Sequence, residues 1–504
     1  MLYKSTRGGS SDVTFSQAVK MGIAPDGGLF VPQESCVLTA EEFQRMAAMS
    51  YKELAVSIVS RYAGDFTAED IEEAVTNAYC SGNFPADDPA PVVSVSDSLN
   101  VLELWHGPTS AFKDMALQIL PEFMTRSNQI CGDGKEIVIL TATSGDTGKA
   151  ALEGFKDVPG IRVIVFYPED GVSQMQKYQM ITQEGKNVHV IAVNGNFDDA
   201  QTGVKGIFGD RAFAALLAEN GYELSSANSI NWGRLLPQII YYFHGYYSLV
   251  RQGKIALGDK VNIAVPTGNF GNILASYYAM KMGLPVNRII CASNDNNVLT
   301  DFLHTGTYDA NRKFMTTISP AMDILVSSNL ERLLYDVTGG DTEAVASYMA
   351  ALRTDGLYTV DAKTSDTLQN LFWAGYATEA ETEGTIRHVY EDYGYLADTH
   401  TAVGIHVYEN YVKATGDTTQ TIAASTASPF KFNKSVAEAI FGRDAVQGMT
   451  EFELLEYLSA KTGHPIPEPL KGLDQKPVLH RGVCMPADME DRIARILGVN
   501  LKDE

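Results

Sequence analysis

Three short stretches hold residue types that could do chemistry together. The first is Leu104-Trp-His-Gly-Pro-Thr-Ser-Ala-Phe-Lys-Asp-Met-Ala116, where Lys113 follows an aromatic residue in a mostly apolar, helix-patterned run. Lysine is rarely buried unless paired or functional. In a dry pocket its pKa falls, and the neutral amine becomes a nucleophile able to form Schiff bases. Spacing alone favours instead a helix lysine that lays its stem on the core and its charge in water.

The second stretch is Ile137-Val-Ile-Leu-Thr-Ala-Thr-Ser-Gly-Asp-Thr-Gly148, followed by Lys149-Ala-Ala-Leu152. An apolar strand pattern runs into small hydroxyl residues and glycines, then into a helix pattern. The start of such a helix offers unpaired N–H groups and a partial positive charge, a site for a phosphate or carboxylate. It is not a Walker A loop, because Thr143 stands at the first glycine position and Ala150 at the Ser/Thr position. The third stretch, Val261-Asn-Ile-Ala-Val-Pro-Thr-Gly-Asn-Phe-Gly-Asn272, repeats the strand–loop–helix order. Gly268 and Gly271 let backbone approach a ligand closely, and a nest of N–H groups there could cradle a phosphate. Each loop alone could be a plain βα turn; two in one chain suggest separate anion sites for a cofactor and a substrate.

These loops need strands to carry them. Glu136–Thr141, Arg162–Tyr167, Val188–Val193, Val261–Pro266, Arg288–Ala292 and Thr421–Ala424 have strand composition, most followed by helix-like segments. That alternation predicts βαβ units and mainly parallel sheets, and its length suits two α/β lobes. Ligands then sit beyond the carboxyl ends of the strands. The first ninety-odd residues look helical: Thr39-Ala-Glu-Glu42 and Thr67-Ala-Glu-Asp70 are capping boxes. Asn83-Phe-Pro-Ala-Asp-Asp-Pro-Ala-Pro91 reads as a linker, since clustered prolines suit neither helix nor central strand. Residues 1–92, 93–432 and 433–504 are therefore expected to form a helical N-terminal domain, a two-lobed catalytic region and a helical C-terminal cap. In the last, Gln447–Leu458 and Ala487–Leu497 carry helical apolar spacing.

His106-Gly-Pro-Thr-Ser-Ala-Phe-Lys-Asp114 resembles the cofactor-lysine motif of threonine synthases, a family of fold-type II pyridoxal-phosphate enzymes. Thr143-Ser-Gly-Asp-Thr-Gly148 is similar to that family's substrate-carboxylate loop, and Thr267-Gly-Asn-Phe-Gly-Asn272 to its phosphate-cradling loop. Tyr3-Lys-Ser-Thr-Arg-Gly-Gly9, Ala24-Pro-Asp-Gly-Gly-Leu-Phe-Val-Pro32 and Asp398-Thr-His-Thr-Ala-Val-Gly404 also resemble family blocks, in the family's order, from the N-terminus to about Phe432.

The resemblance implies that Lys113 is the catalytic residue and carries pyridoxal 5'-phosphate as a Schiff base. It implies that Gly268, Asn269, Phe270, Gly271 and Asn272 hold the cofactor phosphate and that Thr426 bonds the pyridine nitrogen. Ser144 and Thr147 would meet the substrate carboxylate. Asn228, Ser229 and Arg234 resemble a substrate-phosphate site, and a guanidinium fork suits phosphate; Arg234 also reads as a helix-start residue in an ion pair. Asp146 would face the cofactor ring oxygen, where other fold-type II families usually place Asn, and an ionised carboxylate there would repel an ionised oxygen. The family commonly reads Ser-Thr-Ala-His-Pro where this chain has Ser428 in place of the His. The implied reaction converts O-phospho-L-homoserine and water to L-threonine and phosphate. The nearest rival is a phospholyase or dehydratase that stops at 2-oxobutyrate; another is a non-catalytic anion-binding protein.

Composition limits the partners. A formal net charge of −23 argues against nucleic acid and anionic membranes. No stretch is long and apolar enough to span a bilayer, and the start lacks an apolar signal region, so a cytoplasmic location is expected, with a monomer by family resemblance. Cys36, Cys80, Cys131, Cys291 and Cys484 are scattered without a CxxC pair and are expected as buried thiols. The nine histidines include no HExxH pair, so no metal is expected; His400 and His406, near Asp398, read as structural.

Overall fold

The structure is a computed structural model that describes residues 1–85, 88–132, 134–169 and 172–501. Residues 86 and 87 of the expected linker lie outside the described residues, as do the last three of the chain.

Two parallel sheets organise the chain. The larger has six strands in the order Phe372–Tyr376, Val286–Ser293, Val261–Pro266, Thr421–Ser425, Leu99–Glu103, Val92–Ser94; only the last pairing is antiparallel. The second has five, all parallel, in the order Gly482–Cys484, Val188–Val193, Ile161–Pro168, Glu136–Ala142, Tyr222–Ser225. All six expected strands are present. Leu99–Glu103, Tyr222–Ser225, Phe372–Tyr376 and Gly482–Cys484 were not expected. They are three to five residues long and carry polar or glycine positions, too short for period-2 alternation to stand out.

Alternation along the strands divides the core. Ile137 and Ile139 face an apolar mass that runs through the N-terminal helices, the helix Trp232–Arg251 and both sheets. Val138 and Leu140 face the outer helices of the second sheet. Trp232–Arg251 is buried along nearly its whole length, which accounts for its apolar and tyrosine-rich sequence. No helix among the described residues is long and apolar enough to cross a membrane.

The N-terminal segment folds as helices capped by the expected boxes, Thr39 with Glu42 and Thr67 with Asp70, but it also holds the antiparallel pair Tyr3–Ser5 and Phe30–Pro32. The C-terminal segment forms the helices Glu451–Thr462 and Met489–Leu497. It is more than a helical cap: Gly482–Cys484 extends the second sheet beside Val188–Val193, and Met489, Ile493 and Leu497 pack on that sheet's outer face. The cysteine expectation is corrected. Only Cys291 is buried, Cys80 is exposed and the others are half-buried, because Cys36 lies in a loop, Cys80 and Cys131 at helix ends and Cys484 on the edge strand.

Candidate active site

The chain leaves the larger sheet at Glu103 and turns toward the second sheet, and Lys113 lies in that crossing. It is not inside a helix as its spacing suggested; it stands at the cap position of the four-residue turn Asp114–Leu117. Asp114 shapes the turn. Its buried carboxylate accepts from Thr109 N at 2.8 Å and from Thr109 Oγ1 at 2.7 Å. Burial pushes its pKa up to about 6. Gly107 must be glycine here, since a Cβ would lie 2.6 Å from Asp114 Cβ. The turn is then stitched to the end of the strand Thr421–Ser425: Phe112 N donates to Thr426 O at 2.8 Å, and Ser428 N donates to Ser110 O at 3.1 Å. Lys113 and Thr426, far apart in sequence, thereby become neighbours.

The Thr143–Gly148 loop opens the helix Asp146–Gly154. Gly145, at φ 138°, has no side chain with which to cap the helix start. Thr143 Oγ1 accepts from Gly145 N at 3.0 Å and Gly148 N at 2.9 Å, which folds the loop back on itself. Ser144 and Thr147 remain half-buried beside the open helix end. Asp146 points inward. Its Oδ1 takes Lys431 Nζ at 2.7 Å and Gln176 Nε2 at 2.8 Å, while Oδ2 lies 3.7 Å from Lys113 Nζ. Burial alone would raise the pKa of Asp146; Lys431 and then Lys113 outweigh it and hold the carboxylate well below its usual range. The state of Asp146, open from sequence, is thus ionised, with a fixed countercharge. For Lys113, burial pulls the ammonium down, Asp146 pulls it up, and Arg234 and Lys431 repel it; the outcome is a pKa near 8.

The Thr267–Asn272 loop opens a second helix, Gly271–Met282. Phe270 is left-handed (φ 62°) and the start again lacks a side-chain cap. Gly268 passes beneath the Ala321 carbonyl, where a Cβ would come within 2.5 Å of that oxygen. Ala321 N in turn donates to His400 Nε2 at 3.1 Å, and His400 Nδ1 is 2.8 Å from Asp398. The Asp398 block therefore supports the loop from behind. His406, farther along the helix Thr399–Thr415 that His400 opens, is half-buried beside Thr385 and Asn410. Asn272 Oδ1 is clamped by Tyr241 OH at 2.6 Å and Tyr242 OH at 2.5 Å, while its buried Nδ2 has no partner among the described residues. Asn269 is exposed, and its carbonyl accepts from Asn329 N and Nδ2.

Asn329 joins this loop to the next, donating also to Ser229 Oγ at 3.1 Å. Ser229 and Asn228 are half-buried, just before the first turn of Trp232–Arg251. Arg234, in that turn, is 4% exposed and donates to Ala227 O at 2.7 Å. It starts a helix as read, but among the described residues it has no carboxylate partner. Beside it Arg332, fully buried, donates to Phe30 O, Ile230 O and Asn329 Oδ1. It binds the N-terminal segment to both loops.

The structure therefore gathers Lys113, Thr426, Asp146, Ser144 and Thr147 at one junction, with Arg234 close enough to depress Lys113. Asn329 ties the Gly268–Asn272 loop to Ser229, just before the helix that carries Arg234. Sequence reasoning missed Lys431, Gln176, Asn329 and Arg332. Lys431 sat inside a motif-bearing stretch but with no local sign of a partner. Among the described residues no group of three or more His, Cys, Asp or Glu could hold a metal.

Family models match three regions: "Threonine synthase N terminus" at residues 2–79, "Pyridoxal-phosphate dependent enzyme" at 99–359 and "Threonine synthase, C-terminal" at 401–491. Threonine synthase from Schizosaccharomyces pombe is 38% identical over 467 residues, covering 87% of this chain and 89% of its own. The chain belongs to the threonine synthase family of pyridoxal-phosphate-dependent enzymes. The crystal structure of PLP-bound threonine synthase from Brucella melitensis superposes with a TM-score of 0.86 at 37% identity, over 98% of this chain and 99% of that one. The fold-type II, two-lobed α/β expectation holds. Human threonine synthase-like 1 is 41% identical over 436 residues and 84% of this chain, but the match spans only 58% of that longer protein.

Proposed function

We propose that this threonine synthase family member converts O-phospho-L-homoserine and water to L-threonine and phosphate, the closing step of threonine biosynthesis. The observation that carries the proposal is the charge arrangement around Lys113: a buried amine of lowered pKa beside the start of Asp146–Gly154, near the buried Arg234, which among the described residues has no carboxylate partner.

The residues fit pyridoxal 5'-phosphate. The unpartnered Asn272 Nδ2 and the open start at Gly271 suit its phosphate. Gly268, Asn269 and Phe270 form the backbone cradle, with Gly268 held down by Ala321. Lys113 would be the attachment point, Thr426 would bond the ring nitrogen, and Asp146 would face the ring oxygen. When bound, the cofactor supplies the electron sink for bond breaking at Cα and Cβ.

The chain's own residues do the rest. Ser144, Thr147 and the open start of Asp146–Gly154 hold the substrate carboxylate. Lys113, as a free neutral amine, would remove the Cα proton and serve at Cβ. Arg234, with Asn228 and Ser229, takes the charge that grows on the phosphate as the Cγ–O bond breaks with its electron pair. Water then adds its oxygen at Cβ, and protons return to carbon. A monomer in the cytosol completes this reading and rests on family resemblance.

A visible spectrum of the purified protein before and after O-phospho-L-homoserine, with product analysis, tests it. A band shift with threonine and phosphate in equal amounts is expected; 2-oxobutyrate in place of threonine, or no band, overturns it.

A further inference from the structure

Lys431 has no place in the scheme above, yet it is the most completely enclosed cation at the site. Its side chain has no exposed surface. A buried ammonium is costly unless fully partnered. Lys431 meets that demand with two groups, Asp146 Oδ1 at 2.7 Å and the Thr109 carbonyl at 3.0 Å. The second contact belongs to the loop that carries Lys113, so Lys431 is fixed relative to that amine.

Asp146 is shared unequally. Its Oδ1 is taken by Lys431 and Gln176, and only Oδ2 faces Lys113, at 3.7 Å. That separation is beyond a charge-assisted hydrogen bond. The charged groups around Lys113 come from four elements. Asp146 faces it from the helix Asp146–Gly154, Lys431 from the turn Pro429–Phe432 and Arg234 from the helix Trp232–Arg251. Asp114 follows it in its own turn, occupied by Thr109. Among the described residues Asp146 is thus the one carboxylate available to hold Lys113 as an ammonium.

We propose that Lys431 is a positioning residue that claims Asp146 and so keeps Lys113 available as a neutral amine. Two effects act in the same direction. Lys431 anchors the carboxylate away from a close pair with Lys113, and its own charge disfavours a second cation nearby. The lowered pKa of Lys113 accords with both. The arrangement also answers the like-charge difficulty of an ionised Asp146 beside the cofactor ring oxygen, because the pair Lys431–Asp146 is neutral as a unit. It further ties together the Lys113 loop, the Asp146 helix and the turn after Ser428, the position where relatives commonly carry His.

The inference rests on Lys113 being the cofactor lysine. The test is a pH titration of the visible absorbance of the substrate-free holoenzyme, which reads the ionisation at the Lys113 nitrogen without turnover. Lys431→Met removes the charge and keeps the bulk; the titration midpoint should rise by roughly one pH unit or more. Asp146→Asn leaves Lys431 and Arg234 beside Lys113, and the midpoint should fall. The double variant Lys431→Met with Asp146→Asn removes both members of the ion pair together, and its midpoint should return toward that of the unmodified enzyme. A merely structural Lys431 would lower thermal stability and leave the midpoint in place. An unmoved midpoint in Lys431→Met overturns the inference, and if that variant does not fold, an unmoved midpoint in Asp146→Asn overturns it instead. Lys113→Ala separates the two levels: a variant that keeps the wild-type band and turnover overturns the assignment of Lys113 itself.

Discussion

Arg234 gives one guanidinium N–H to the carbonyl of Ala227 at 2.7 Å and, in its buried position, meets no carboxylate among the described residues. Burial alone draws its pKa down to about 10. A charge kept in this state is a burden on the fold, and a phosphate is the partner that would relieve it. Arg234→Met should therefore leave thermal stability unchanged or raise it, by up to about 2 kcal/mol. It should lower kcat/KM for O-phospho-L-homoserine by about 100-fold or more. Thermal melts and steady-state kinetics on one preparation check both; a fall in both would mean that Arg234 is structural.

Lys113 must be neutral to take a proton, and its pKa lies near 8. Below that value the amine is charged and idle, and above it the amine is free. The rate should climb about tenfold per pH unit on the acid side and level off above about pH 8. A rate that is flat from pH 6 to 9, roughly the window in question, would remove Lys113 from the rate-limiting proton transfer. Replacing it outright, Lys113→Ala, should cost at least about 100-fold in turnover and abolish the visible band.

Gly268 lies beneath backbone, not beneath a flexible side chain. A Cβ there would stand 2.5 Å from Ala321 O, which His400 fixes through Ala321 N. Gly268→Ala should displace the loop and weaken cofactor retention by about tenfold or more while the sheets remain folded. Cofactor titration with circular dichroism as the control measures it.

Glu331 receives Arg7 in a two-pronged pair, Nε at 2.9 Å and Nη2 at 2.8 Å, and Thr6 Oγ1 at 2.6 Å. These contacts dock the N-terminal strand pair on the helix that also bears Arg332. Glu331→Gln should destabilise the protein by about 2–3 kcal/mol, because a buried acceptor of three donors loses its charge. The shift of the denaturation midpoint reports it, and accelerated proteolysis within the first thirty residues should accompany it.

Much of this protein could be read locally. Capping boxes at Thr39 and Thr67 depend on residues three apart, and both formed. The strands before the two glycine loops are long and β-branched, so their alternation showed, and a strand entering Gly-rich sequence before a helix pattern marks an anion site whatever surrounds it. The family motifs then gave Lys113 its expected partners. Elements of three to five residues, such as Leu99–Glu103 and Gly482–Cys484, were missed because they take their identity from the neighbouring strand that completes their hydrogen bonds.

The sequence by itself determined which loops could bind anions, which lysine could be reactive and which family the chain joins. Only the tertiary structure decided the charges. Asp146 is ionised because Lys431 arrives from a distant turn. Lys113 is lowered because the fold dries its pocket and brings Arg234 beside it. Asn272 keeps a free donor because two tyrosines of another helix clamp its oxygen. The physical reason is one of range. Caps and turns are set by groups a few residues apart, whereas desolvation and Coulomb interaction depend on what the folded chain places within a few ångströms, whatever its position in sequence.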